Sequence, residues 1–178
     1  MLKRLMLIAV VFAVFAAIPA TALDFDAKQF YGQGILALPL GTFGDIANVG
    51  IGAGLGLLVP HTPELSFRGE ISYIYFSTES IPEADVSASL IPITVLAQYN
   101  LTDSKAYLLG GLGLAIAKAS VDFNTTIPGF DSSYSGSSTE FGLTLGGGFK
   151  MSPNFNLEGR FNLISDANSI SANLVYMF

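Results

Sequence analysis

Taken two residues at a time, the stretch FNLEGRFNL at 155–163 separates into two chemistries. Phe155, Leu157, Gly159, Phe161 and Leu163 share one face, and Asn156, Glu158, Arg160 and Asn162 share the other. A period of two marks a strand with one apolar and one polar side. The same alternation sets Leu65, Phe67, Gly69, Ile71, Tyr73 and Tyr75 against Ser66, Arg68, Glu70, Ser72, Ile74 and Phe76. It also sets Val49, Ile51, Ala53, Leu55 and Leu57 against Gly50, Gly52, Gly54 and Gly56, and Phe141, Leu143 and Leu145 against Gly142, Thr144 and Gly146. At the end of the chain, Ile170, Ala172, Leu174, Tyr176 and Phe178 oppose Ser171, Asn173, Val175 and Met177.

Eight strands are predicted, at 29–40, 49–59, 65–77, 87–100, 106–121, 138–150, 155–164 and 170–178, divided by stretches rich in Gly, Pro, Asn, Asp and Ser. Strands one, four and five carry apolar residues on both faces. The connections PHTPE, LTDS and MSPN, after strands two, four and six, are short. Those after one, three and five are longer, while SDAN after strand seven is also short. An even strand count with short turns at one end and longer loops at the other is the layout of a closed up-and-down transmembrane barrel. The expected fold is therefore all-β: an eight-stranded antiparallel barrel with apolar side chains toward lipid and polar or small ones inside.

Composition agrees with a lipid setting. Half of the 178 residues are apolar and 12% are charged, with 19 glycines and neither Trp nor Cys; soluble domains carry about 25% charged residues. The N-terminal segment has Lys3 and Arg4, an apolar run from Leu5 to Ile18, and a small-residue site at Ala20-Thr21-Ala22. These are the three parts of a secretory signal peptide, and the 14-residue run is too short for the ~20 residues of a spanning helix. Residues 1–22 are expected to be the signal, cleaved after Ala22, and 23–178 the barrel domain. No later apolar run is long enough for a spanning helix, but runs of about a dozen residues suit strands, which cross a bilayer in about 9–11.

After residue 22 there are six basic and fourteen acidic residues, a net charge of −8. Nucleic acid is not an expected partner, since phosphate binding needs a basic footprint. A lipid-modified cysteine and a disulfide scaffold are excluded by the lack of Cys. His61 is the sole histidine and falls in the turn after strand two, far from where a barrel hydrolase would meet substrate, so neither an enzyme nor a metal centre is expected. Glu79, Glu83 and Asp85 are read as a solvated loop. The alternating glycines at 50–56 lie on one strand face, where they leave room for bulky side chains across the interior; a nucleotide loop would need a helix to follow. No cofactor is expected.

Charges within the strands are few, and four of them form a suggestive set. Arg68 and Glu158 stand three residues into strands three and seven, Glu70 and Arg160 five residues in. These strands face each other across an eight-stranded barrel, so opposite signs meet at matching depth. Burial without a partner is costly, and the four are expected to form a salt-bridge cluster that plugs the lumen. Lys118 has the parity of lipid-facing Leu112, Leu114 and Ile116. It is expected at the outer rim, its ammonium snorkelling out of the bilayer; a bulge is the alternative. Tyr73, Tyr75, Phe76, Tyr99, Tyr107, Tyr176 and Phe178 are candidates for interfacial aromatic girdles.

The segments ALPLGTFGDIANVGIGAGLG at 37–56, YLLGGLGLA at 107–115, FNLEGRF at 155–161 and ISANLVYMF at 170–178 resemble the small OmpA/OmpX-like outer membrane β-barrel family of Gram-negative bacteria. The resemblance spans residues 23–178. It implies residence in the cell outer membrane, contact with outer membrane lipid, and a C-terminal assembly signal formed by Ile170, Ala172, Leu174, Tyr176 and Phe178. Barrel-assembly machinery and periplasmic chaperones would read that signal. It further implies an internal charge cluster and a monomer. Function then rests on the loops at 41–48, 78–86 and 122–137, in envelope integrity, adhesion or contact with the surroundings. Two other readings stand beside this one: a small porin-like or hydrophobic-solute channel, and a soluble periplasmic lipid-binding barrel with its apolar face inward.

Overall fold

The computed structural model describes residues 28–45, 47–78, 84–123, 133–165 and 167–178, the side chains of 84–86, 121–123 and 133–134 excepted. The segment read as a signal peptide, including Ala20 and Ala22, and the acidic residues Glu79 and Glu83 lie outside the described residues, and Asp85 is described by its backbone alone. The eight strands are β1 (Gln29–Pro39), β2 (Ala47–Pro60), β3 (Leu65–Thr78), β4 (Ala84–Asn100), β5 (Ala106–Phe123), β6 (Ser133–Lys150), β7 (Phe155–Ile164) and β8 (Ser169–Met177). Each pairs antiparallel with its neighbour in sequence, and β1 pairs with β8 from Tyr31↔Met177 to Pro39↔Ser169, closing the barrel. Closure gives every strand two partners in the membrane, where an unpaired backbone group has no water to turn to.

Residues 61–64, 101–105 and 151–154 form the tight connections at the end that also holds both ends of the barrel. Outer-membrane barrels keep such turns on the periplasmic side, so the opposite end is the outer one. Asp103, at φ 57°, takes the left-handed position of one inner turn. At the outer end, Gly41, at φ 62°, opens a 3₁₀ turn at Gly41–Phe43. Leu40 N–H donates to Asn168 O at 2.8 Å, tying the first outer connection to the last.

Three strands rise higher at this end than the turn-rich composition suggests. β4 begins at Ala84, β5 reaches Phe123 and β6 begins at Ser133, so residues 84–86, 122–123 and 133–137 belong to strands and not to loops. Serine and glycine read as loop formers, yet Ser133, Tyr134, Ser135, Gly136 and Ser137 continue the β5 ladder out to Asp122↔Ser133. Cross-strand pairing overrides local turn preference there. Residues 47–48, at the end of the first expected loop, likewise open β2.

Alternation settles the two faces. Inside lie Ser66, Arg68, Glu70, Ser72, Asn156, Glu158, Arg160, Ser171 and Asn173, all buried, while Ile71, Tyr73, Leu145, Leu157 and Leu174 are exposed on the outer surface. A soluble barrel with an inward apolar face is thereby overturned, because Glu158 and Arg160 point in and the apolar face points out. On β3 the outward apolar and aromatic positions run from Leu65 to Tyr75, about 34 Å of strand at ~3.4 Å per residue. Tilted by ~40°, that spans about 26 Å, matching the ~25 Å apolar band of such barrels.

Strands β1, β4 and β5 are apolar on both faces because their inward residues plug the lumen. Ile35 and Ala37 of β1, Leu90 of β4 and Ala115 of β5 join Ala47, Ile74, Phe76, Ile164 and Ala167 in one cluster at the outer end. Phe43 packs against it, edge-on to Phe76 with ring centroids 4.9 Å apart. A second cluster of Tyr31, Leu58, Val175 and Met177 closes the inner end. Two of the aromatics expected in girdles are therefore misplaced: Phe76 and Tyr107 point inward and are fully buried. Tyr73, Tyr75, Tyr99, Tyr176 and Phe178 do face outward, and Tyr176 packs against both Phe155 and Phe178. Lys118 is exposed within unbroken ladders to both β4 and β6, so no bulge turns it.

Inward glycines make space for particular neighbours. A Cβ on Gly56 would stand 2.1 Å from Tyr31 Cζ, one on Gly148 2.3 Å from Tyr107 Cζ, and one on Gly50 2.6 Å from Phe76 Cε1. Outward Gly34 has nothing within 4 Å. Gly56→Ala is expected to lower stability by about 1–3 kcal/mol through overpacking, with Gly34→Ala near neutral, in urea unfolding from lipid vesicles.

Candidate functional site

Arg68 and Glu70 on β3, and Glu158 and Arg160 on β7, come together across the lumen, ninety residues apart in sequence. Alternation aims both pairs inward, and the barrel places β7 opposite β3. Arg68 Nη1 reaches Glu158 Oε1 at 2.7 Å, and Arg68 Nη2 lies 3.0 Å from Glu70 Oε1. Arg160 grips Glu70 with two bonds, Nη1 to Oε2 at 2.6 Å and Nη2 to Oε1 at 2.9 Å. It also donates through Nε to Glu158 Oε2 at 2.8 Å, and its Nη2 contacts the same oxygen. Each carboxylate thus bridges both guanidinium groups in a closed ring with no net charge.

No side chain in the ring is more than 6% exposed. Charges taken out of water at this depth hold only when their remaining lone pairs and protons are satisfied. Two tyrosines and two glutamines supply those bonds. Tyr31 O–H donates to Glu70 Oε1 at 2.5 Å and its oxygen accepts from Arg68 Nε at 2.9 Å, while Tyr107 O–H donates to Glu158 Oε1 at 2.6 Å. Gln98 Oε1 accepts from Arg68 Nη1 and Gln33 Nε2 donates to Glu70 Oε2, both at 3.3 Å. The Arg68 guanidinium carbon also stands 4.5 Å over the Tyr31 ring, a cation–π distance.

Neighbouring glycines explain why so many large groups fit at one level. Glu70 pairs with Gly56, Glu158 with Gly148 and Arg160 with Gly146. Tyr31 and Tyr107 lie over their own partners, Gly56 and Gly148. None of Tyr31, Tyr107, Gln33 or Gln98 was foreseen in the cluster. A signal was present all the same, since a tyrosine inward and opposite a glycine on the next strand has space to lie across the lumen.

Between this ring and the outer apolar plug is a cavity of about 40 Å³, bordered by Gln33, Ser72, Thr94, Thr144, Arg160, Asn162, Ser171 and Asn173 among others. It exceeds the room that one water needs. Asn173 donates to Gln33 Oε1 at 2.9 Å, and its own Oδ1 is buried without a protein partner. The lumen is therefore layered from the inner end outward: an apolar plug, the ion-pair ring, a small polar chamber and a second apolar plug.

The other candidates stay apart from the ring. His61 sits in the β2–β3 turn with its ring 5.9 Å from that of Phe67. No group of three or more His, Asp or Glu residues suited to a metal ion occurs among the described residues. On β8, Ile170, Leu174 and Tyr176 are exposed in a row on the outer surface with Ala172 between them, and Phe178, the residue after the strand, continues the row.

Several solved structures of similar architecture are outer membrane barrels. Ail, the attachment invasion locus protein of Yersinia pestis, superposes with a TM-score of 0.59 at 16% identity, covering 85% of this chain and 97% of that one. Neisserial surface protein A gives 0.56 at 18%, with 85% and 97% covered. The N-terminal β-barrel domain of Pseudomonas aeruginosa OprF gives 0.56 at 12%, with 84% and 97% covered. No curated protein matches the sequence significantly. The family model described as "Outer membrane protein beta-barrel domain" matches residues 8–178. With its apolar face turned to lipid and its charges sealed inside, the chain belongs to that outer membrane β-barrel family and resides in the cell outer membrane.

Proposed function

We propose that this protein is a non-enzymatic, non-conducting barrel that acts at the cell surface through its raised outer edge. One observation carries the reading. The β5–β6 ladder continues to Asp122↔Ser133, whereas the β6–β7 ladder starts only at Gly142↔Ile164, so residues 133–141 have no strand partner on their β7 side among the described residues. The upper part of this edge, residues 133–136, stands above the bilayer and offers backbone donors and acceptors to an incoming chain. Function on such a scaffold belongs to what the outer end presents.

The ion-pair ring is read as structural, a plug that holds opposite walls of the barrel together. Support for a closed lumen comes from the apolar clusters on either side of it. The outward row of β8, ending in Phe178, is read as the strip recognised by the barrel-assembly machinery after periplasmic chaperones deliver the chain. Export by a signal cleaved after Ala22, and a monomeric state, complete the proposal.

Replacing residues 121–138 with a short Asn-Gly turn tests the surface role. The barrel is expected still to assemble and to shift on a denaturing gel when boiled, while attachment of whole cells to protein-coated and bare surfaces falls. Unchanged attachment would assign the protein to envelope integrity instead.

Arg160→Ala should destabilise by about 3–5 kcal/mol, since it leaves two buried carboxylates sharing Arg68 and one negative charge uncompensated. Glu70→Ala in the same chain should recover part of that loss; simple additivity in urea unfolding would mean that the two are uncoupled. Planar bilayers should show no conductance steps for the wild type or for this double variant. Steps are expected only when Phe43→Ala and Phe76→Ala also open the outer plug and Leu58→Ala and Met177→Ala the inner one. Phe178→Ala should slow assembly in cells while leaving urea unfolding of the refolded barrel within about 0.5 kcal/mol of wild type, as surface changes usually do.

A further inference from the structure

All six basic residues beyond position 22 are described, and their placement is uneven. Arg68 and Arg160 are sealed in the lumen, and Lys28, Lys105 and Lys150 lie at the inner end. Lys118 is alone on the outer half. The outer connections contribute Asp45, Glu79, Glu83, Asp131 and Asp166 and no base. An anion reaching the outer half of this barrel therefore meets a single cationic position.

That position faces sideways into the membrane plane. Ala117 packs against the internal apolar cluster, so alternation turns Lys118 outward. Its Cα partners are Ser89 on β4 and Ser137 on β6, and Ser89 is in turn paired with Tyr75 on β3. The row Tyr75–Ser89–Lys118–Ser137 spans three strand spacings, about 14 Å. It stands where the outer wall changes from apolar to polar, since Ile116 precedes it on β5 and Ser120 follows. Tyr73, Tyr75, Ser89, Lys118 and Ser137 border a shallow concavity of about 430 Å³.

The hydroxyls of this row differ from those one step further out. Ser87 and Ser120 satisfy each other at 2.7 Å. Among the described residues, Ser89, Ser137 and Lys118 have no such side-chain partner. A cation flanked by free hydroxyls at headgroup depth matches a phosphate monoester, which offers charge and several acceptor oxygens. Lysine serves as a compact point charge for such a group, and interfacial depth lets its stem lie on the apolar wall.

We propose that Lys118, with Ser89, Ser137 and Tyr75, forms a site for the phosphate of an outer-leaflet lipid, holding one such lipid against the β3–β6 wall. The test uses the full-length protein in detergent micelles with lipid A, a bis-phosphorylated glycolipid, and with the same lipid stripped of phosphate. Retained lipid is counted by native mass spectrometry. Wild type is expected to hold the phosphorylated form about tenfold more than Lys118→Ala does, the size of one charge-assisted contact. Lys118→Arg should restore most of the retention, and Ser89→Ala with Ser137→Ala should lower it in part. Retention by the wild type should also fall as salt rises, a readout that needs no variant. Equal retention by wild type and Lys118→Ala, or of the two lipid forms by wild type, would overturn the site. Displacement by an equimolar amount of inorganic phosphate would overturn the assignment to a lipid.

Discussion

Eight strands enclose an interior only as wide as the side chains that fill it. Most of what distinguishes this chain follows from that limit. The middle of so narrow a lumen cannot hydrate a charge, so a charge buried there must be neutralised by another within reach. Reach across the barrel exists between opposite strands, which is why the ring draws its two pairs from β3 and β7. Width also decides the glycines. Tyr31 and Tyr107 lie across the lumen, and the residues beside them at 56 and 148 have no room for even a Cβ.

The same limit explains why charge and grease share one interior. A ring of two arginines and two glutamates satisfies itself only if water cannot compete at its contacts. Below it, Leu58, Val175 and Met177 shut the inner end, and above the small chamber Ile35, Ile74, Phe76 and Leu90 shut the outer one. Phe43 comes from the first outer connection to complete that upper plug, and the bond from Leu40 to Asn168 joins this connection to the last. The upper closure is thus made partly by connecting segments, whereas the lower one is made by strand residues.

Period-two alternation made the strand count, the closure and the inward face of β3 and β7 legible, because lipid and lumen impose opposite demands on successive residues. It misled where a demand was absent. Above the membrane neither face meets lipid, so residues 133–136 carry no alternation, and their serines read as a loop although they pair with β5. It also gave mixed signals in β1, β4 and β5, where the plugs make the inward face apolar as well. Phe76 and Tyr107 show how composition can mislead: aromatic residues near strand ends suit an interface, but both are assigned by parity to the lumen, one to the plug and one to Glu158. The four charges were readable from matched depth on opposite strands. Their hydrogen-bonding companions were not, because Gln33 and Gln98 lie in the strands with the weakest pattern.

Such a barrel has two separate inventories of polar groups, and the difference bears on function. Inside, donors and acceptors are matched almost completely: Arg68 Nη2 has only its ion-pair contact with Glu70, and Asn173 Oδ1 beside the chamber has no protein partner. A network this complete has little left to offer a solute and works as scaffold. Outside, unmatched groups among the described residues collect at the outer end: the backbone of residues 133–136 along one edge, and the row of Lys118, Ser89 and Ser137 just below it. β6 takes part in both. A lipid held at Lys118 would therefore lie against the strand whose upper part is the free edge, and the height at which that edge stands above the leaflet would be set by a contact in the leaflet itself.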